Sequence, residues 1–270
     1  EILFYKNAYA TCCNNLGLIY KGKGDYFVAI DYQTKSLRIR EELVDKKGIA
    51  SSLNNIGLIH QEQNDTVKAI EYHNQSLKIA DEIGDKRGIA RALGNLANLA
   101  SSSGRYPEAL DKNERCLKLW IEMNDLPNIA GTYNNIGIVN HYQKQNEKAI
   151  EYYKLGLEKF IEIGHKRGIA GSYNCIDAAL IDMKDYKQAI ENAEKGLAIS
   201  RELGIVLETQ SASNSLYTAY KKTGQFERAL SMHELLIETT NKMNSDNARR
   251  EIVRQEFKYE YEKKAAADSV

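Results

Sequence analysis

The sequence predicts an all-α protein, an α-solenoid of six tandem helix–turn–helix repeats followed by one C-terminal helix. Three observations predict this fold. Short sequence blocks recur at an offset of 40 residues, each half of a unit carries residues at helical spacing, and turn-forming residues separate the halves. A hairpin of two such helices buries its apolar face only by stacking on its neighbours, so tandem copies form a continuous core.

The 40-residue period is visible in both halves of each unit. The block Asn-Asn-Ile-Gly at 54–57 recurs at 134–137, and Asn-Asn-Leu-Gly stands at 14–17. In the second half, alanine fills one column completely: Ala29, Ala69, Ala109, Ala149, Ala189 and Ala229. Six copies fit residues 6–245 without an insertion or deletion, with boundaries at about 6–45, 46–85, 86–125, 126–165, 166–205 and 206–245.

Each unit is predicted to form a helix A and a helix B. In helix A of the second unit, Leu53, Ile56 and His60 recur at i, i+3 and i+7, which is one face of a 3.6-residue period. Helix B of that unit carries a narrow stripe that allows close helix packing: Ala69, His73, Ser76 and Ala80.

Glycine, asparagine and aspartate mark the ends of the predicted helices. Within units, helix-breaking pairs stand at Gly24-Asp25, Asn64-Asp65 and Gly104-Arg105. Between units, a glycine such as Gly84 stops helix B, and the next residue is an aspartate that can cap helix A: Asp45, Asp85 and Asp125. The chain is therefore expected to reverse direction about every 20 residues.

Composition argues against several classes of function. Lys+Arg and Asp+Glu both number 37, so the formal net charge is zero and the basic surface that nucleic-acid binding needs is missing. No run of 18 apolar residues exists, so no membrane-spanning segment is predicted. The histidines and cysteines lack metal-ligand spacing, and no phosphate-binding or catalytic motif occurs. We expect no metal, no cofactor and no catalysis by this chain.

The residues Asn15-Leu16-Gly17 and Tyr20, followed by Ala29-Ile30 and Ser36-Leu37, resemble the tetratricopeptide repeat in its long variety. The resemblance covers about 240 of the 270 residues and weakens in the sixth unit, where Tyr217 replaces the glycine. It implies a right-handed solenoid in which the helices A line a concave groove that binds a protein or a peptide.

The resemblance also implies that the residue before the Asn-Leu-Gly core faces the groove. In this chain that first column is Asn14, Asn54, Gly94, Asn134, Asn174 and Asn214. Helical spacing supports the assignment, because Asn54 shares a face with Ser51, Leu58 and Gln61. Amides both donate and accept, so five of them could pair with the backbone of an extended peptide. A structural role for this column stays open, and the second column (Asn15, Asn55, Asn95, Asn135) is expected to bond between helices.

The third unit interrupts the ladder of amides. Arg91, Gly94 and Asn98 stand where the second unit has Ser51, Asn54 and Leu58. Arg91 beside a glycine gap could anchor an acidic side chain or a carboxylate, or it could be a solvated surface charge. The residues predicted to contact a peptide are therefore Asn14, Asn54, Arg91, Asn98, Asn134, Asn174 and Asn214.

Residues 246–270 leave the repeat. Asp246 can cap a charged helix in which Val253, Phe257 and Tyr261 recur every four residues. This helix could cap the solenoid, begin a coiled-coil linker, or pair in a homodimer through residues 246–264.

Long repeats followed by a charged helix resemble the input region of bacterial membrane signalling proteins. Their outputs are histidine kinases, nucleotide cyclases or DNA-binding domains. The resemblance implies a sensory role on the periplasmic side of a membrane, whereas a free-standing adaptor would be cytoplasmic. Because the sequence lacks an initial methionine and ends within a helical pattern, we expect it to be an excerpt of a longer protein.

Overall fold

The computed structural model describes the backbone of residues 2–268, and the side chains in this range except those of 2, 250, 253, 254, 256–258, 260–262 and 264–268. Twelve α-helices and no strand occur in the described part. The helices A are α1 (Ile2–Lys23), α3 (Lys46–Glu62), α5 (Lys86–Ser102), α7 (Leu126–Tyr142), α9 (Lys166–Asp182) and α11 (Val206–Lys222). The helices B are α2 (Tyr26–Glu42), α4 (Thr66–Glu82), α6 (Tyr106–Glu122), α8 (Asn146–Glu162), α10 (Tyr186–Glu202) and α12 (Phe226–Asp268). The predicted all-α fold of tandem hairpins is confirmed.

The helices fall into two compact units. The first consists of Glu1–Ser103 together with Asn247–Val270, and the second of Gly104–Asp246. Inside each unit, the helices of the repeats pack on the next helix in the chain, and each helix A also contacts the helix A of the following repeat. Consecutive helices A therefore lie side by side within a unit, which brings residues about 40 positions apart into contact.

A left-handed backbone conformation ends each helix of the array at intervals of 20 residues. The residues with positive φ are Gly24, Val44, Asn64, Gly84, Gly104, Asn124, Lys144, Gly164, Lys184, Gly204 and Gly224. In ten of these turns the chain folds back by two hydrogen bonds, as where Gly84 N donates to Asp81 O and Asp85 N donates to Ala80 O. The side chains repeat every 40 residues, while these turns repeat every 20.

Side-chain capping follows the prediction at most of these turns. Asp45 and Asp125 accept hydrogen bonds from the backbone three residues ahead, as do Asp25, Asp65 and Asp185. At Asp85 the prediction is wrong, because this residue occupies the N-cap of α5 without making a side-chain capping bond.

Val44 is a β-branched residue forced into the left-handed region. Its φ is 54° and its side chain is 75% exposed, so the valine side chain itself gains little packing in return for the strain. We expect Val44→Gly to raise the free energy of unfolding by about 1 kcal/mol in urea denaturation. The matched control is Gly84→Val, which places the same strain one repeat later and should lower stability by a similar amount. A Val44→Gly protein no more stable than the wild type would contradict this account.

In the first, second and fourth repeats, the two helices meet at a glycine on helix A and a large side chain on helix B. A Cβ on Gly17, Gly57 or Gly137 would lie 2.5–2.8 Å from the facing side chain, which is Gln33, His73 or Tyr153 respectively. The fifth repeat exchanges the sizes, with Asp177 on helix A and Ala193 on helix B. In the sixth, Tyr217 stacks on His233 with ring centroids 4.8 Å apart. Volume is thus shared between the two columns repeat by repeat.

The C-terminal helix is not separate from the last repeat. α12 runs without interruption from Phe226 to Asp268, so the prediction that Asp246 caps a new helix is wrong. Asn244 stands where Asn124 adopts a left-handed conformation, yet it stays helical. The charged sequence beyond it offers no apolar helix A whose packing would stabilise a turn there. The predicted stripe of Val253, Phe257 and Tyr261 lies outside the described residues.

Candidate functional site

The sequence predicts that a ligand binds on the exposed face of the helices A. In α3, Leu53, Ile56 and His60 are buried, with at most 8% of their surface exposed. Ser51 is exposed, and Leu58 and Gln61 are half-buried on the other face. The helical spacing therefore separated Leu53, Ile56 and His60 from Ser51, Leu58 and Gln61, but Asn54, which it grouped with the accessible residues, is buried.

The predicted site residues differ in how far they reach solvent. Asn54 is only 9% exposed. The others fall into a half-buried group of Asn14, Asn134 and Asn174, and an exposed group of Arg91, Asn98 and Asn214. Ligand contact by this set stays a prediction, and the exposed group offers the most surface for it.

In the first of the two compact units, the amides of both asparagine columns join the helices A of consecutive repeats. Asn55 Nδ2 donates to Asn14 Oδ1 at 2.8 Å, and Asn95 Nδ2 donates to Asn54 Oδ1 at 2.9 Å. The bonding role expected of the second column is therefore present at Asn55 and Asn95. The first column supplies the acceptors, so Asn14 and Asn54 also hold neighbouring repeats together.

In the second compact unit, two of the first-column amides, Asn134 and Asn174, are likewise engaged between repeats. Asn134 Nδ2 donates to Ser172 Oγ at 2.9 Å, and Asn174 Nδ2 donates to the backbone oxygen of Glu208 at 3.0 Å. Their oxygens face Gly156 and Gly196, where an added Cβ would approach within 2.3 and 2.8 Å. These two glycines make room for the amides at the contact of three helices.

His73 connects the interior of the second repeat to Asn54. Its Nδ1 lies 3.0 Å from Asn54 Oδ1, which can only accept, so the proton resides on Nδ1. Its Nε2 is buried without a hydrogen-bond partner. Burial lowers the pKa of His73 to about 4, because a charged ring would have no compensating group. Asn54 Oδ1 therefore receives two hydrogen bonds and is held firmly in place.

A cavity of about 100 Å³ lies beside Asn54, between the second and third repeats. It is lined by Lys47, Ala50, Ser51, Asn54, Ser76, Asp85, Arg87, Gly88 and Arg91. Three cationic side chains and one carboxylate contribute to the lining, so its charge is net positive. The structure thus brings together two of the predicted residues, Asn54 and Arg91, whereas Asn98 does not line this cavity.

Two cationic residues of the cavity were not predicted. Lys47 and Arg87 stand at the same position of consecutive repeats, in the blocks Lys-Lys-Gly-Ile-Ala at 46–50 and Lys-Arg-Gly-Ile-Ala at 86–90. A third copy occurs at 166–170, where Arg167 pairs with Glu208 at 3.1 Å. The recurrence of a basic pair before Gly-Ile-Ala was a detectable signal. Glycine at 88 permits a close approach, since a Cβ there would lie 2.8 Å from Asp85 Oδ2 and 3.0 Å from Ala80 Cβ.

The described residues contain neither a metal-binding cluster nor a membrane-spanning helix. No group of three or more His, Cys, Asp or Glu side chains there could hold a metal ion. Within the same residues, no helix has the length and apolarity needed to cross a membrane.

Comparison with known proteins identifies one sequence family. A model described as tetratricopeptide repeat matches residues 9–82 and 84–162, which is more than half of the chain. No curated protein matches the sequence significantly.

Solved structures of similar fold share little sequence with this chain. BtubC from P. vanneervenii is 21% identical, with a TM-score of 0.69 over 80% of this chain and 91% of that one. A Rap protein complexed with competence and sporulation factor is 14% identical, with a TM-score of 0.67 over 87% and 75%. The Rap conjugation gene regulator of plasmid pLS20, in complex with the Phr* peptide, is 18% identical, with a TM-score of 0.70 over 90% and 64%. At these identities the likeness concerns the fold.

Proposed function

We propose, from the premise that this chain belongs to the tetratricopeptide repeat family, that it is a scaffold which binds a protein or peptide on the exposed face of its helices A. The observation that carries the proposal is the cationic cavity beside Asn54. Two proteins of similar fold are described in complex with a Phr* peptide and with a competence and sporulation factor, which agrees with a binding role. The chain acts by binding and not by catalysis.

The cavity suits a carboxylate of the ligand. Its volume of about 100 Å³ holds a few atoms, as in an acidic side chain or a chain terminus, but not a folded segment. Arg91 is exposed and its planar guanidinium can donate two parallel hydrogen bonds to a carboxylate. Lys47 adds a second positive charge to the lining of the cavity. Asn54 adds an amide whose orientation is fixed by hydrogen bonds from Asn95 and His73. We assign the carboxylate to this cavity and the rest of the ligand to the exposed positions of the helices A.

Binding of a labelled pool of short acidic peptides, measured by fluorescence anisotropy, tests this function. Arg91→Ala is expected to weaken binding by at least about tenfold, since a charged hydrogen bond is lost. Amidation of the peptide C-terminus separates a terminal carboxylate from an acidic side chain. Asn98→Ala and Asn214→Ala test two of the other predicted contacts, because both residues are exposed and their loss leaves the interior intact.

Arg115→Ala is the matched control, because Arg115 is an exposed arginine on a helix B. It should leave the affinity unchanged. Equal affinity of Arg91→Ala and Arg115→Ala would contradict the assignment of the carboxylate to the cavity. Failure of all acidic peptides to bind the wild-type protein would contradict the peptide-binding function itself.

A second candidate function is that of a sensory input region of a bacterial signalling protein. The observation favouring it is α12, which continues from the last repeat through residues 246–264 without an interruption of the helix. A coding sequence with a hydrophobic stretch of about 20 residues beyond position 270 would support this role and a periplasmic location. A reading frame without such a stretch would favour a free-standing cytoplasmic adaptor.

A further inference from the structure

The cavity beside Asn54 carries more positive charge than one carboxylate neutralises. Its charged lining groups are Lys47 of α3 and Asp85, Arg87 and Arg91 of α5. Three positive charges and one negative charge leave an excess of two positive charges. A bound carboxylate supplies a single negative charge, so part of this excess would stay uncompensated beside it. A group with two negative charges balances the lining.

Asn54 directs a hydrogen-bond donor towards this cavity. Its Oδ1 accepts from Asn95 Nδ2 at 2.9 Å and lies 3.0 Å from His73 Nδ1, so the orientation of the amide is fixed. The residue is only 9% exposed, yet its Nδ2 donates to no other described residue. Because Oδ1 faces His73 and Asn95, Nδ2 on the opposite side of the amide faces the cavity that Asn54 lines. A nearly buried N–H group of this kind is stabilised by an acceptor from a ligand.

The N-terminus of α5 adds a donor from the backbone. At the same position of the preceding repeat, Gly48 N donates to the capping residue Asp45 at 3.0 Å. Gly88 lines the cavity, and its own N-cap residue, Asp85, makes no side-chain capping bond. The N–H of Gly88 therefore lacks this acceptor, at a helix end where the peptide dipoles favour negative charge.

A phosphate monoester suits this set of donors better than a carboxylate does. It carries a charge of about −1.5 to −2 at neutral pH, and each of its three terminal oxygens accepts hydrogen bonds. Arg91 can bind two of these oxygens side by side, and Lys47 acts as a compact positive charge. The amide of Asn54 and the N–H of Gly88 remain for the third oxygen. A carboxylate has only two oxygens, so it leaves more of these donors unpaired.

We propose that this cavity binds a phosphorylated side chain of the peptide ligand in preference to a carboxylate. The proposal rests on the peptide-binding function proposed above and names the chemical class of the ligand residue that the cavity selects. Phosphorylation of the partner therefore raises its affinity, and the scaffold distinguishes the phosphorylated partner from the unmodified one.

Fluorescence anisotropy with three pools of labelled peptides tests the preference. The pools are degenerate in sequence, carry no other acidic residue and have amidated C-termini. They differ only at one fixed central residue, which is phosphoserine, glutamate or serine. The phosphoserine pool is expected to bind the wild-type protein at least about tenfold more tightly than the glutamate pool, because it forms additional charged hydrogen bonds. The serine pool should bind most weakly.

Two substitutions in the lining assign the preference to the cavity. Lys47→Gln removes one positive charge and should weaken binding of the phosphoserine pool by about tenfold, with a smaller effect on the glutamate pool. Asp85→Asn removes the opposing negative charge while keeping a residue favoured at an N-cap. It should tighten binding of the phosphoserine pool by about two- to fivefold.

Lys118→Gln is the matched control, because Lys118 is an exposed lysine of α6 that does not line the cavity. It should leave the affinities for all three pools unchanged. Circular dichroism verifies that each variant is folded.

The possible failures can be told apart. Equal affinities of the phosphoserine and glutamate pools would overturn the preference for phosphate and leave the peptide-binding function in place. A preference that stays unchanged in both Lys47→Gln and Asp85→Asn would place the phosphate site elsewhere and would also overturn the proposal. If the wild-type protein binds none of the three pools and no acidic peptide, the peptide-binding function itself is wrong, and this inference with it.

Discussion

Replacing Gly137 by alanine is expected to lower the free energy of unfolding by about 2 kcal/mol. The added Cβ would lie 2.5 Å from the ring of Tyr153 and 3.1 Å from the backbone oxygen of Ala149. Tyr153 is 1% exposed, so its ring has no free space into which to move. Helix propensity favours alanine by about 1 kcal/mol, which offsets only part of the overpacking. Urea denaturation measures the difference.

The same helix supplies the control for this substitution. A Cβ on Gly131 of α7 would meet nothing within 4 Å, so Gly131→Ala should stabilise the protein by up to about 1 kcal/mol.

A second test makes room for the added Cβ by shortening the side chain that faces it. The third repeat has Ala97 and Asn113 at the positions of Gly137 and Tyr153, so Tyr153→Asn should relieve the clash in the double variant. Strictly additive effects of the two substitutions would contradict direct contact as the cause.

Acid is expected to destabilise the protein by about 3 kcal/mol through His73 alone. Burial holds the pKa of His73 at about 4, against 6.5 in an unfolded chain. Between pH 4 and pH 6.5, the His73 ring binds a proton in the unfolded chain but stays neutral in the folded protein. The contribution is therefore fully present above pH 6.5 and is lost progressively as the pH falls towards 4. Denaturation in urea at several pH values across this window gives the slope.

The variant His73→Gln isolates this effect, because Gln33 occupies the same position in the first repeat. There, Gln33 Nε2 donates to the backbone oxygen of Asn14 at 2.9 Å, so glutamine suits the site. The variant should be less sensitive to acid than the wild type, and the gap between them should widen as the pH falls from 6.5 to 4. Identical slopes for the two proteins would show that another group governs acid unfolding.

A residue adopts the left-handed turn conformation because of its position in the repeat more than because of its type. Gly24 and Asn64 signalled a left-handed residue by their chemistry, but Val44, Lys144 and Lys184 adopt the same conformation with no such signal. They do so because packing of the two flanking helices stabilises the reversal by more than the local strain opposes it. The 40-residue alignment located these turns where local propensity alone would have missed them.

The site was predictable only in part. Spacing separated Ser51, Leu58 and Arg91 from the buried face, but Asn54, which it placed on the accessible side, is buried. It could not show that Asn54 Oδ1 accepts from Asn95 and His73, because hydrogen-bond partners depend on the neighbouring helices. Nor did it bring Lys47 into one cavity with Arg87 and Arg91, since residues 40 or more positions apart meet only when consecutive helices A lie side by side.

The sequence by itself determined the all-α class, the six repeats and the face that each helix buries, because a strict period fixes the identity and angular position of every residue. Tertiary packing decided the rest. It made the amides at Asn14, Asn54, Asn134 and Asn174 part of the contacts between repeats, and it left α12 unbroken where no helix A follows. Periodicity is a property of one helix, whereas contacts between helices depend on the shape of the neighbouring side chains.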